Sequence, residues 1–114
     1  MTQPLTKEEL IRGAWITALR RQGARQCERH VFEKGTLRVC ALGLLAEIAG
    51  IGRIAKAIVA RHGEFDFIGR RAGLSKRQTE DVWKMNDGYA PFETPKHTFS
   101  EIADVVEGWF KKSG

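Results

Sequence analysis

Apolar side chains recur every three or four residues along most of the chain, which is the spacing of helices with one buried face. The first predicted helix begins after Thr6, which can form a capping box with Glu9, and it ends at Gly23. Leu5 and Leu10 are spaced to pack on each other across its start. Its predicted apolar face consists of Ile11, Ala14, Trp15, Ala18 and Leu19.

The stretch from Cys40 to Gly50 is apolar on nearly every side, since Glu47 is its only charged residue. A helix without a polar face is normally buried. We therefore expect this helix to be central, with the other elements packed around it. Gly50 is the residue expected to end it in the left-handed conformation.

Between these two helices the period of the pattern changes from about four to two. Residues 27–32 alternate, the tetrad 33–36 has the composition of a turn with Gly35 at a positive φ, and residues 37–39 follow. This pattern predicts a small β-hairpin. Because a lone hairpin is marginally stable in water, we expect it to lie on the helices.

The second half of the chain continues with helical spacing. A helix closing at Gly63 is predicted first, followed by a short helix from Phe65 to Ala72. A capping box in residues 75–78 opens the next helix, and residues 89–97 form a loop with two prolines. Another capping box in residues 98–101 opens the last helix. The apolar faces of the first and last of these helices are Ile51, Ile54, Ala55, Ile58 and Val59, and Phe99, Ile102, Ala103, Val106, Trp109 and Phe110.

These elements predict a mainly α fold, formally α+β, in a single domain covering residues 1–114. Five or six helices surround the central apolar helix, with one small β-hairpin. The net charge of +5 permits a nucleic acid or an acidic protein surface as partner. The N-terminus shows no apolar signal region and no apolar run approaches ~18 residues, so we expect a cytoplasmic protein without a membrane partner.

The two cysteines, Cys27 and Cys40, have neither C-x-x-C nor zinc-finger spacing, and the three histidines are far apart. We therefore expect reduced thiols, no metal site and no cofactor. Cys40 nevertheless stands at a helix start, where exposed backbone N–H groups can stabilise a thiolate. His30 and His97 are the candidate bases for a papain-like thiol hydrolase that uses Cys40 as its nucleophile.

Three short motifs resemble a family of small phage and prophage proteins. They are Cys40-Ala41-Leu42-Gly43 at a helix start, Asn86-Asp87 after a helix, and Thr98-Phe99-Ser100-Glu101-Ile102-Ala103-Asp104, together with a tryptophan in the first helix. Members of that family often carry a second cysteine at the position of Ala41, so no role for paired thiols is implied here. The resemblance implies a phage or mobile-element origin and the cytoplasm of a host bacterium. Small phage proteins often bind and disable a host factor, including defence complexes, as anti-CRISPR proteins do.

Asn86 and Asp87 could orient a histidine or contact a cation, but two ligands are too few for a calcium site, and the pair also suits a helix end followed by a turn. Residues 68–82 resemble a helix-turn-helix motif with Gly69, Gly73 and a Ser75-capped second helix. Thr79 departs from it, because this position is usually Ile or Val, and Glu80 and Asp81 would lie near phosphates. The candidate DNA contacts are Arg70, Arg71, Lys76, Arg77 and Gln78.

Arginines also cluster near the end of the first helix and in the predicted hairpin, where their guanidinium groups suit phosphates or carboxylates. The leading expectation is a binding protein that inhibits or modulates a host macromolecule by occupying its surface, such as a defence complex or another nucleic-acid-handling complex. The alternatives are a helix-turn-helix DNA-binding regulator and the Cys40 hydrolase. The residues expected to contact the host partner are Arg20, Arg21, Arg25, Arg29 and Arg38.

Overall fold

A computed structural model of the chain describes residues 4–27, 31–32, 35–62, 65–88 and 97–111. Within these ranges the fold is mainly α, as the apolar spacing predicts. Six α-helices and a short 3₁₀ turn at Gly23–Arg25 follow one another in the described part of the chain. The helices are α1 (Lys7–Arg21), α2 (Ala41–Ile48), α3 (Gly52–His62), α4 (Asp66–Arg70), α5 (Lys76–Asp87) and α6 (Phe99–Phe110).

All three predicted capping boxes are present, at the starts of α1, α5 and α6. At α6 the Thr98 hydroxyl accepts from the backbone N–H of Glu101 at 3.2 Å, and the Glu101 carboxylate accepts from the backbone N–H of Thr98 at 2.9 Å. Hydrogen bonds to the Glu101 carboxylate, from the Thr98 backbone first and then from the Thr98 side chain, lower the pKa of Glu101. Each box satisfies N–H groups that a helix start otherwise leaves without a partner.

Helix α2 buries six consecutive residues, Ala41 to Ala46, and packs against α1, α3, α4 and α5. Gly43 allows this burial, because a Cβ atom at that position would collide with the carbonyl oxygen of Val31. Glu47 is exposed, and Gly50 follows the helix with φ +75°. The left-handed conformation expected of Gly50 is therefore confirmed.

Helix α1 packs against both α2 and α6. The indole Nε1 of Trp15 donates to the carbonyl oxygen of Ala41 at 2.9 Å, so this fully buried ring also satisfies its polar atom. The predicted face of α1 is partly wrong, since Ala14 is exposed and Ile16 is buried. Helix α1 has neighbours on two sides, so its buried surface differs from the single apolar face that the spacing predicts.

The segment predicted as a β-hairpin forms no named strand among the described residues. Val39 makes two isolated bridges, a parallel one with Gln26 and an antiparallel one with Phe32. Residues 28–30 and 33–34 of the predicted hairpin lie outside the described ranges, as do residues 89–96 of the predicted loop. Gly35 has φ +79°, as expected from its place in the turn.

Three side chains expected to make apolar contacts are largely exposed. Ile54 is 61% exposed because α3 packs against α2 mainly through the side of the helix that carries buried Ala55. Leu5 and Leu10 are 59% and 57% exposed, so the start of α1 contributes little to the core.

Candidate nucleic-acid interface

The connection between α4 and α5 is a tight turn closed by backbone hydrogen bonds. Gly73 has φ +77°, a left-handed conformation that favours glycine. Its N–H donates to the carbonyl of Arg70, and the N–H of Leu74 donates to the carbonyl of Gly69, both at 3.0 Å. This pair of bonds is a Schellman ending for α4. Leu74 is buried immediately after the turn, which fixes the direction in which α5 departs.

Helices α4 and α5 approach each other most closely at Gly69 and Thr79. A Cβ atom on Gly69 would lie 2.9 Å from both Cβ and Cγ2 of Thr79, so only glycine permits this separation. Thr79 is fully buried, and its hydroxyl donates to the carbonyl of Ser75 at 2.9 Å. Threonine therefore fills the position where Ile or Val is usual, with its polar atom satisfied inside its own helix.

The outer face of α5 carries both signs of charge. Lys76 and Arg77 are exposed, and Glu80, Asp81 and Lys84 are half-buried. These five side chains line a shallow open depression of about 450 Å³. All five residues come from α5, so the depression lies along one helix.

The other candidate DNA contacts differ in their freedom to reach a partner. Arg70 and Arg71 are exposed at the end of α4, beside the turn. Gln78 is half-buried, and its side-chain oxygen accepts from the backbone N–H of Ser75 at 2.9 Å. Gln78 therefore stabilises the start of α5, and its side chain points back to the helix cap.

Helices α1 and α6 hold the α4–α5 turn from behind. Nη1 of Arg12 donates to the carbonyl oxygen of Ala72 at 3.1 Å, and the guanidinium lies 3.6 Å from the ring centroid of Phe110. This stacked cation fixes the turn to two other helices. The arrangement gives the α4–α5 unit a rigid base.

Two members of the arginine cluster, Arg20 and Arg25, form ion pairs within the chain. Arg20 bridges α1 to α6 through Asp104 at 3.0 Å and Glu107 at 3.1 Å. Arg25 donates to both oxygens of Glu47 at 2.9 and 3.0 Å. Hydrogen bonds to these carboxylates, from Glu107 first in the case of Arg20, raise the pKa of both guanidinium groups.

The remaining members of the cluster are Arg21, Arg29 and Arg38. Arg21 and Arg38 are exposed, and Arg29 lies outside the described residues. Beside Arg38, Leu37 is 80% exposed, and its carbonyl accepts from Nε of Arg25 at 2.8 Å. The backbone under this exposed leucine is therefore held in place by Arg25.

Cys40 sits at the start of α2, as predicted, but it is only 2% exposed. Burial raises the pKa of its thiol to about 12, although hydrogen bonds from the backbone of Gly43 and Leu42 act in the opposite direction. His97 donates its backbone N–H to the carbonyl of Met85, and its buried Nδ1 has no hydrogen-bond partner among the residues that the structure describes. Cys40 and His97 share no hydrogen bond within the described residues, and His30 lies outside them. This arrangement does not activate the thiol.

The sequence did not predict that Asn86 caps a helix other than its own. Its Oδ1 accepts from the backbone N–H of Ala41 and from Nε2 of Gln26, both at 3.1 Å. Its Nδ2 donates to the carbonyl of Cys27 at 2.8 Å. Cys40 gives α2 no side-chain cap, so Asn86 supplies one from another helix. The signal in the sequence was Cys40, a residue that caps helices poorly, directly before a strongly predicted helix.

Gln26 extends this buried network to the start of α6. Its Nε2 also donates to the carbonyl of His97 at 2.8 Å, and its Oε1 accepts from the backbone N–H of Phe99 at 3.0 Å. The network links the segment before α2 to the ends of α5 and α6. These hydrogen bonds give the buried Asn86 side chain a structural role.

Within the described ranges, no three side chains of the metal-binding types come together, and no helix has the length and apolarity needed to cross a membrane. Comparison of the chain with protein-family models, curated proteins and solved structures found no match.

Proposed function

We propose that the chain binds double-stranded DNA, with α5 entering the major groove and α4 lying across it. The observation that carries this proposal is the close contact between Gly69 and Thr79, together with the left-handed turn at Gly73. In a helix-turn-helix unit a short turn that often contains glycine joins the two helices, and the second helix enters the major groove. The turn at Gly73 and the close contact at Gly69 support such an arrangement of α4 and α5.

The charges around this unit support contacts to phosphate and to bases. Lys76 and Arg77 are exposed in the first turn of α5, the part of a recognition helix that reaches base edges. Arg70 and Arg71 are exposed where α4 ends and are assigned to phosphates. The net charge of +5 adds attraction that falls with salt.

The test is fluorescence anisotropy with labelled duplexes of random sequence at several salt concentrations. The wild-type chain should bind, with an affinity that falls steeply with salt. The substitution R77A should weaken binding, because a cation at the DNA-facing start of α5 is lost, and R71A should reduce the salt slope by about 0.9, because one phosphate contact is lost. R61A, an exposed arginine on α3, is the control and should change binding little. Binding that is absent, or equal in R77A and R61A, contradicts the proposal.

As a second function we propose contact with an acidic surface of a host protein, as the resemblance to phage proteins implies. The observation that favours it is the exposed Leu37, whose backbone is held by Arg25 and which stands beside exposed Arg38. Arginine is among the residue types that contribute most binding energy in protein interfaces, and Leu37 adds exposed apolar surface beside Arg38.

This second proposal is tested with tagged protein and bacterial lysate, with and without nuclease. A host protein that is retained after nuclease treatment, and is lost with the double variant L37S/R38E, supports it. R53E on α3 is the charge-matched control. If the variant retains the same proteins as the wild type, this surface is not the contact.

A further inference from the structure

Two carboxylates share the outer face of α5 with the basic residues assigned to DNA. Glu80 and Asp81 follow Arg77 by three and four residues, which puts all three on the same side of the helix. Neither carboxylate takes part in an ion pair among the described residues. Both line the same open depression as Lys76 and Arg77.

Carboxylates on a DNA-facing helix have opposite effects on the two kinds of DNA contact. They repel phosphates, which lowers affinity for every sequence alike. They also accept hydrogen bonds from the N4 amino group of cytosine, whereas arginine and lysine donate to O6 and N7 of guanine. A helix that carries both types therefore binds unspecific DNA weakly and discriminates by the pattern of bases.

The spacing along α5 sets the size of the recognised site. Arg77 and Asp81 are four residues apart, which corresponds to roughly 6 Å along a helix axis. Successive base pairs are about 3.4 Å apart, so the two side chains reach bases one or two steps from each other. A guanine and a cytosine within two base-pair steps match the donors and acceptors that this face offers.

On the basis of the proposed DNA binding, we propose that Glu80 and Asp81 determine specificity by accepting hydrogen bonds from cytosine amino groups, so that the chain selects sites with neighbouring G·C pairs. Lys76 and Arg77 supply the guanine contacts of the same sites. The carboxylates that counted against a helix-turn-helix interpretation thereby become the source of its selectivity.

The test is selection of bound duplexes from a randomised pool, performed in parallel with wild type, E80Q, D81N and the control E107Q on α6. The wild type should enrich sites with G·C pairs at neighbouring positions. D81N or E80Q should lose the cytosine preference at one position, with about a tenfold fall in discrimination there, and should bind random duplex at least as tightly as wild type. E107Q should give the wild-type profile.

The outcomes separate this inference from the proposed function. Salt-dependent binding to random duplex together with an unchanged base profile in both E80Q and D81N overturns the specificity role but leaves DNA binding standing. Enrichment of sites without G·C pairs also overturns it. Failure of the wild-type chain to bind any duplex removes the proposed function and this inference with it. Unfolding in urea checks that each variant is folded as the wild type is.

Discussion

Asn86, in the last turn of α5, caps the start of α2 by accepting a hydrogen bond from the backbone N–H of Ala41 at 3.1 Å. Its side chain is 1% exposed, and its amide group simultaneously donates to the carbonyl of Cys27. One side chain therefore satisfies backbone groups of two separate segments in the core. Asn86 should therefore contribute strongly to stability, although it lies at the end of its own helix.

We expect N86A to lower the free energy of unfolding by about 2 to 4 kcal/mol, because it leaves buried backbone groups without partners. Urea unfolding followed by tryptophan fluorescence measures this change. T17A, a polar-to-alanine change at an exposed position of α1, is the control and should stay within about 0.5 kcal/mol of wild type. Equal midpoints for N86A and T17A would show that the cap contributes nothing.

Two glycine-to-alanine substitutions should have opposite effects. G69A should destabilise the chain by about 1 to 3 kcal/mol, because the new Cβ collides with Thr79. G13A should stabilise it by about 0.5 to 1 kcal/mol, because Gly13 lies in α1 with no atom near the added Cβ. Thermal unfolding of both variants tests this contrast.

The double variant G69A/T79A isolates the contact between the helices. T79A removes both the hydroxyl oxygen, which is the atom nearest the added Cβ, and the methyl group, so G69A/T79A should lose less stability than the sum of G69A and T79A. If G69A and G13A change the melting temperature in the same direction, the close approach of α4 and α5 is not as tight as described.

Native Cys40 should react slowly with iodoacetamide at pH 8. With its pKa raised to about 12, the thiolate fraction is on the order of 0.01%, and the sulfur is buried as well. Denaturant should speed the reaction strongly. Mass spectrometry after short exposures distinguishes Cys40 from Cys27. Rapid modification of Cys40 in the native chain would revive the thiol-hydrolase interpretation.

The capping box of α6 should make stability depend on pH in the acidic range. The pKa of Glu101 is lowered in the folded chain, so its contribution is fully present above its ordinary value of 4.5. It is lost as the pH falls through the lower, folded value. In E101Q the glutamine keeps the box without a titrating group. The melting temperature of E101Q relative to wild type should therefore rise below pH 4.5; a constant difference from pH 3 to 7 contradicts this.

Features that depend on neighbouring residues were predictable from the sequence. The three capping boxes and the left-handed Gly35 and Gly50 follow from a few adjacent residues. The spacing of Gly69, Gly73 and Ser75 likewise indicated the α4–α5 unit. Such features need no knowledge of distant packing.

Features that depend on distant partners were not predictable. The ion pairs of Arg20 join residues 84 and 87 positions apart, and no local pattern indicates them. The exposure of Ile54 depends on where α3 meets α2. Alternating residues around Val39 suggested a hairpin, but alternation cannot distinguish a continuous ladder from the two isolated bridges that Val39 makes.

The candidate site shows the same division. Gln78 was predicted both as part of a capping box and as a base reader, and its side chain makes the cap. From the sequence alone, Thr79 looked like a departure from the motif. It fits in the folded chain because the facing residue, Gly69, has no side chain. Where a side chain has two possible roles, packing in the folded chain decides which one it adopts.

The pairing of α1 with α6 has a consequence for how the chain folds as it is made. Arg20 meets Glu107 across 87 residues, and ribosomes add about 5 to 20 residues per second. The side of α1 that α6 covers therefore waits roughly 4 to 17 seconds for its partner after it is synthesised. During that interval the nascent chain exposes apolar surface to chaperones and to other nascent chains.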